Sequence, residues 1–295
     1  MKNTFQNIGF IGLGVMGEPM CRNLKQKTGL PILALDRDNA PLQRLSTYGV
    51  SQAISIATLA LASDIVFMSL PSGEVVREVC QAPEGLLANA RPGWVVVDLS
   101  TSPVDLTREL AAQFAAEGAV FIDAPVARTR EAAEAGTLSV MVGAEQHDFE
   151  KIRPLLQTFA SDLTRCGGVG TGQVVKILNN MVLFETVVAL AEAKAIGERA
   201  GVDAALLFDA MSKGSADSFA LRNHGMKAML PGKFPERAFS VEYARKDLAY
   251  ALRLARDTGV DARAARTVDG WFAEAIEAGE GDQYHPVISR RIAGH

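Results

Sequence analysis

The 295-residue chain is poor in sulfur and in aromatic side chains, with three cysteines, two tryptophans and 6% aromatic residues overall. Cys21, Cys80 and Cys166 lie far apart, which excludes a paired-cysteine metal knuckle and a disulfide framework. Free thiols at this density fit a reducing compartment, and a cytoplasmic location is expected. The four histidines, His147, His224, His285 and His295, share no metal-ligand spacing, so no metal site is expected and most of the rings are taken as solvated. Positive charge is not in excess either. Thirty Lys and Arg against 34 Asp and Glu give a formal charge of −4. With no basic run in the chain, nucleic acid and membrane surfaces are not expected as partners. No basic segment followed by an apolar stretch and a cleavage site opens the chain, so no signal peptide is expected.

Apolar residues, in contrast, make up 48% of the chain, enough for a sizeable core in one large domain or two ordinary ones. The first apolar run, Ile8 to Ile11, leads into Gly12-Leu13-Gly14-Val15-Met16-Gly17. In a strand–turn–helix unit, Gly12 permits the tight turn, Gly14 lets backbone approach a pyrophosphate, and Gly17 lets the helix pack against the sheet. A helix starting near Val15 would direct its unpaired N–H groups and positive dipole end at the phosphates. Pro31 to Leu35 reads as the next strand, closed by Asp36 about 20 residues beyond Gly17, where a carboxylate accepts the hydroxyls of an adenosine ribose. The loop residues Gly12, Leu13, Gly14, Val15 and Met16, with Asp36, therefore form a dinucleotide site. Asp36 favours NAD by repelling a 2′-phosphate, while Arg37 beside it could reach that phosphate and admit NADP.

Further apolar runs at Ile65–Leu70, Trp94–Leu99, Ala119–Ile122 and Leu138–Val142 alternate with helical stretches such as 104–117. Continuous apolar strands alternating with helices predict a mostly parallel, Rossmann-type doubly wound sheet over residues 1–167. The glycine-dense stretch Cys166 to Gly172 marks a boundary, after which strand patterns vanish. Residues 168–295 are expected to form an all-helical substrate and dimerisation domain, built around one long helix from about Gln173 to Ala200, roughly 40 Å long. Further helices are expected near 203–212, 217–230, 240–258, 261–279 and 282–292. The long helix is apolar on more than one side, but Lys176, Asn179, Asn180, Glu185, Glu192 and Lys194 interrupt it too often for a membrane span. It is read as a buried central helix that also meets a second subunit.

Lys176, Asn179 and Asn180 stand at i, i+3 and i+4, so they share one helical face, in what is expected to be a cleft between the domains. Polar groups on an apolar helix are costly to bury without a purpose. With the helix starting at Gln173, Lys176 falls in the first turn, where the positive dipole end disfavours a further cation. That poises Lys176 to exchange a proton with a substrate oxygen, while the two carboxamides hold the substrate.

These residues, together with Gly9–Gly17, Leu70-Pro71, Asp98-Leu99-Ser100-Thr101, Asp123-Ala124-Pro125-Val126, Gly136-Thr137-Leu138, Gly172–Asn180 and Lys246-Asp247-Leu248, resemble the β-hydroxyacid dehydrogenases. That family includes 3-hydroxyisobutyrate dehydrogenase and tartronate semialdehyde reductase. The resemblance covers essentially the whole chain. It implies a two-domain NAD(P)-dependent enzyme that reversibly reduces a short acid semialdehyde to the hydroxy acid. It further implies that Lys176 is catalytic and Asn180 supports it. Ser100 and Thr101 would lie beside nicotinamide and substrate, and Leu70, Pro71, Thr101 and Lys246 would line the cofactor. The partner is then a small anionic aldehyde or hydroxy acid, and the assembly a homodimer or homotetramer through the helical domain.

One departure stands out. Where most members follow Asp-Ala-Pro-Val with Ser-Gly-Gly, this chain has Ala127, Arg128 and Thr129. Arg128 and Thr129 are taken as substrate-binding, with the guanidinium as a forked anion clamp. An arginine–threonine pair here resembles the sulfolactaldehyde reductase branch, although that branch has a small hydroxyl side chain where this sequence has Leu183. Two other readings compete. An imine reductase of the same architecture would carry aspartate or tyrosine in place of Lys176, and a non-catalytic dinucleotide-binding module would have lost the lysine.

Overall fold

A computed structural model describes residues 5–236 and 238–294. The chain divides into two compact units, Met1–Lys176 and Ile177–His295.

In the first unit, short apolar runs become strands between helices in the order β1 (Ile8–Ile11), α1 (Gly17–Thr28), β2 (Ile32–Leu35), α2 (Asn39–Ser46), β3 (Ser51–Gln52), α3 (Ile56–Ala62), β4 (Ile65–Met68), α4 (Gly73–Gln81) and β5 (Val95–Asp98). The series continues with α5 (Val104–Ala116), β6 (Val120–Asp123), β7 (Val126–Ala127), α6 (Arg130–Ala135), β8 (Leu138–Gly143), α7 (Gln146–Leu156) and β9 (Ala160–Gly167). The sheet order is β3-β2-β1-β4-β5-β6-β8-β7, with β9 paired to β8. From β3 to β6 every pair is parallel, whereas β8 runs antiparallel to β6 and β7.

Strands buried on both faces explain the unbroken apolar runs. Ile65, Phe67, Val95 and Val97 enter one core cluster, while Val66, Met68 and Val96 enter another, as a period of two requires. Phe10 stacks on Phe67 with ring centroids 6.2 Å apart, and Phe114 stacks on Phe121 at 5.5 Å. Strand β9 was not expected from the sequence. Its residues are largely exposed and polar (Ser161, Asp162, Thr164, Arg165), so it carries no apolar signal and is held by backbone pairing to β8.

The second unit is helical. Helix α8 (Thr171–Arg199) runs into it from the first and is followed by α9 (Ala204–Met211), a π-helical segment at Leu221–Met229, α10 (Val241–Asp257), α11 (Arg263–Glu277), a 3-10 turn at His285–Val287 and α12 (Ile288–Ile292). Phe184, Val187, Leu190 and Ala191 of α8 pack into one core with Phe208, Leu248, Val268 and Phe272. By length and composition alone α8 would suffice to cross a membrane, since an 18-residue window reaches a mean hydropathy of 1.7. Burial in this core accounts for part of its apolar character, while Leu178, Val182 and Ile196 stay exposed. His224 and His285 are also buried, contrary to the expectation of solvated rings. The ring of His285 lies edge-on to Phe184, Phe239 and Phe272, and His224 Nδ1 meets the Tyr284 hydroxyl. Burial pushes His224 down to about 4 and His285 well below the ordinary range, so both are neutral.

Candidate active site

Gly12 ends β1 with φ +89°, and its N–H donates to Leu35 O at 2.9 Å. A Cβ there would sit 2.2 Å from Ser69 O, and one on Gly17 would sit 2.0 Å from Gly12 O. Gly14 is different: it is exposed, with nothing within 4 Å of a would-be Cβ. The loop thus leaves backbone open where a pyrophosphate would lie, and these residues fit a dinucleotide. Helix α1 begins at Gly17 rather than near Val15, with Val15 exposed, Met16 half-buried and Leu13 buried. Asp36 Oδ2 accepts the Leu13 N–H at 2.5 Å and Oδ1 accepts the Asp38 N–H at 2.7 Å, so the carboxylate is fixed against the glycine loop. Arg37 is exposed and forms a two-pronged pair with Glu78 at 3.0 and 3.1 Å.

At the C-terminal ends of β5 and β6 two fully buried carboxylates stand in register, Asp98 opposite Asp123. Asp98 accepts the Ser100 N–H and the Ser102 hydroxyl, both at 2.9 Å. The Ser100 hydroxyl accepts the Leu70 N–H at 2.9 Å, tying the Leu70-Pro71 segment to the Ser100–Thr101 segment. Ser100 and Thr101 are themselves buried. Asp123 accepts the N–H groups of Gly170 at 2.7 Å and Gln173 at 2.8 Å, so it caps the start of α8. Burial raises its pKa to about 6, opposed by those N–H bonds and assisted by Asp98.

Helix α8 starts at Thr171, two residues earlier than expected, which places Lys176 in the second turn rather than the first. The helix dipole fades beyond the first turn, so the dipole contribution expected there is lost. Lys176 is nevertheless buried, 8% exposed. The helix is continuous through Asn179 and Asn180, so the shared face predicted from their spacing holds. In the second unit, Asn179 Nδ2 donates to Asn180 Oδ1 at 3.2 Å, and Asn180 Nδ2 donates to Asp247 Oδ2 at 2.7 Å. Asp247 is buried and also pairs with Lys246 at 2.9 Å, and Lys246 lies 4.0 Å over the Tyr243 ring.

The structure does not leave Arg128 in the open geometry expected of an anion clamp. Its guanidinium donates to Thr137 O at 2.7 Å and Ser161 Oγ at 2.9 Å, and pairs with Asp162 at 2.8 Å. Three acceptors of its own unit close the fork. Among the described residues Arg128 is the one non-glycine residue with positive φ, +88°. This is the left-handed backbone region that glycine adopts freely and that a residue with a side chain adopts at a cost in strain. Thr129 is exposed at the N-cap of α6, where its side chain makes no capping bond.

Sequence reasoning did not single out Gln173, Asp247 or Glu78, which bond to the predicted site residues Ser100, Asn180 and Arg37 respectively. Asp247 stood in the Lys246-Asp247-Leu248 motif with no role assigned to it, and its burial is a tertiary property. Gln173 had a weak local signal, a carboxamide one turn before Lys176 at the entrance to an apolar helix.

A doubly wound sheet with an open glycine loop at its first turn, followed by a helical unit, defines a dinucleotide-binding protein. Residues 7–168 match the NAD binding domain of 6-phosphogluconate dehydrogenase, and residues 170–291 match the NAD-binding domain of NADP-dependent 3-hydroxyisobutyrate dehydrogenase. The chain belongs to the β-hydroxyacid dehydrogenase family and binds NAD(P). It is 36% identical to 2-(hydroxymethyl)glutarate dehydrogenase of Eubacterium barkeri over 86% of this chain and 83% of the relative. Among solved structures it resembles Mycobacterium tuberculosis 3-hydroxyisobutyrate dehydrogenase with L-serine, at a TM-score of 0.88 and 31% identity over 98% and 99% of the two chains. It also resembles Psf3 in complex with NADP+ and 2-OPP, at a TM-score of 0.86 and 29% identity over 97% and 99%.

Proposed function

We propose that this hydroxyacid dehydrogenase reduces a short acid semialdehyde to the corresponding hydroxy acid, reversibly, with Lys176 as the proton donor and NAD as the preferred cofactor. The observation that carries this reading is a buried lysine on one face with Asn179 and Asn180 on a continuous helix. Bound dinucleotide supplies the hydride that goes to the carbonyl carbon. Lys176, as ammonium, donates a proton to the carbonyl oxygen as negative charge builds there, and takes it back from the hydroxyl in the oxidative direction. Asn180, which donates to Asp247, is assigned a supporting role one turn beyond Lys176 on the same helix, and Ser100 and Thr101 are assigned to substrate binding. The named activity of the 2-(hydroxymethyl)glutarate relative, a hydroxymethyl acid dehydrogenase, supports a substrate of this class.

The acid group is assigned to backbone N–H groups of the 127–129 turn. The glycine-like conformation at Arg128 supports this, because the guanidinium is already engaged by Thr137, Ser161 and Asp162. A sulfonate aldehyde is the second reading, favoured if the guanidinium exchanges Asp162 for substrate. NAD preference rests on the Asp36 carboxylate and on Arg37 being held by Glu78. Self-association is assigned to α8, where Leu178, Val182 and Ile196 are exposed and Val182 and Ile196 stand two heptads apart.

The test is steady-state turnover on a panel of short carboxylate and sulfonate semialdehydes with NADH and NADPH. Lys176→Ala is expected to leave NADH binding nearly intact and to lower kcat by at least about a hundredfold. Near-normal turnover of that variant would remove Lys176 from the mechanism.

A further inference from the structure

Gln173 has no part in the proposed chemistry, yet it is a polar side chain with no exposed surface, bonded at both ends. Its Nε2 donates to Ser100 O at 2.8 Å, and its Oε1 accepts the Ser102 N–H at 3.0 Å. The Gln173 main-chain N–H donates to Asp123 Oδ2 at 2.8 Å, and that of Gly170 to Asp123 Oδ1 at 2.7 Å. The first turn of α8 is thus fixed to two neighbouring strand ends, to the segment after β5 through the carboxamide and to β6 through Asp123. Asp98 also holds this segment, through the Ser100 N–H and the Ser102 hydroxyl.

A buried carboxamide that merely filled space would cost more than a methionine of similar volume. A donor and an acceptor on one planar group, engaged by two backbone groups two residues apart, specify a register: a shift of either segment leaves both bonds unmade. The two segments so registered are the one bearing Ser100 and Thr101 and the turn that stands three residues before Lys176 on the same helix face.

We propose that Gln173 is a positioning residue for the dehydrogenase reaction, fixing the Ser100–Thr101 segment against the turn that precedes Lys176 so that proton donor and substrate-contacting residues share one rigid frame. The proposal rests on the role assigned to Lys176 above. Small displacements of such a frame slow chemistry far more than they weaken binding.

The test uses full-length protein with NADH and the best semialdehyde of the panel. Gln173→Met keeps the length and removes both bonds. Its kcat is expected to fall roughly ten- to a hundredfold. The primary deuterium isotope effect on kcat, with deuterium at the transferred position of NADH, should rise as the chemical step becomes limiting, and the Kd for NADH should stay within about twofold. A fall in kcat at an unchanged isotope effect means only less folded enzyme and overturns the proposal, as does a kcat like that of wild type.

Gln173→Glu provides an internal control that does not depend on the methionine variant folding. A protonated carboxyl reproduces the donor to Ser100 O and the acceptor from Ser102 N–H, whereas a carboxylate repels the carbonyl. The charged groups around this turn are Asp98, which accepts the Ser102 hydroxyl, Asp123, which accepts the Gln173 N–H, Arg108 of α5 beside Gly170, and Lys176 three residues on along the helix. The ratio of Gln173→Glu to wild-type kcat is expected to climb as pH falls from 8 to 6, and a flat ratio overturns the proposal. If wild type reduces no semialdehyde, the function proposed above fails and this proposal fails with it. An active wild type with an indifferent Gln173 overturns the positioning role alone.

Discussion

The Arg128 guanidinium suggests an anion clamp by type and place, and in the structure its side chain is turned onto Thr137, Ser161 and Asp162. The Arg128 pairing pulls the Asp162 carboxyl below its usual range, after the larger contribution of the Ser161 hydroxyl. The backbone at this position is left-handed. Arg128→Gly is therefore expected to preserve the turn and to change KM for anionic aldehydes by less than about tenfold, since the strain relieved offsets an exposed ion pair of small net value. A selective rise well beyond tenfold for anionic over neutral aldehydes of equal length would return the guanidinium to the substrate. Lys176 and Asn180 were legible from their spacing because helical periodicity is local. The closure of the Arg128 fork was not, because Thr137, Ser161 and Asp162 come from other elements.

At the scale of elements, α8 is the part on which the site depends, and its start is set by tertiary contacts. Gly170 and Gln173 direct their N–H groups at Asp123, so a carboxylate from β6 fixes where the helix begins and moves Lys176 into the second turn. That capping comes with a buried charge. The pKa of Asp123 is raised from 3.8 to about 6, so the native state binds its proton more tightly than the unfolded chain. The resulting stabilisation is fully present below pH 3.8 and is lost as pH rises through 6. A shift of about two units corresponds to about 3 kcal/mol. The difference in unfolding free energy between wild type and Asp123→Asn is expected to fall by up to that amount between pH 4 and 7, measured by denaturant midpoints at each pH. A difference that stays constant with pH would show that Asp123 does not titrate in this range. Strand β9 makes the converse point: a polar, exposed edge strand has no periodic signal, and only its ladder to β8 creates it.

For the whole molecule, the apolar face of α8 that the second unit leaves exposed sets the expected assembly. Val182 is 55% exposed and Ile196 67% exposed, and burying them against a second copy would remove apolar surface from water. Val182→Glu is expected to lower the oligomeric state in sedimentation velocity at micromolar concentration while leaving the fold intact by circular dichroism. A monomeric wild type, or a variant as associated as wild type, would remove α8 from the interface.

Sequence alone determined the doubly wound sheet, the glycine loop, the long apolar helix and the Lys176–Asn179–Asn180 face. All of these are written in short-range spacing: unbroken apolar runs, glycines at fixed offsets, and i, i+3 and i+4 neighbours on a helix. The family resemblance followed from the same motifs taken in order. The tertiary structure decided which polar groups are buried and what they touch. Asp98 and Asp123 face each other only because β5 and β6 pair in register, and Gln173 reaches Ser100 and Ser102 only because α8 starts over those strand ends. Asp247 meets Asn180 across 67 residues of chain. Burial and long-range hydrogen bonds depend on how elements pack, and no local pattern of residues carries that information.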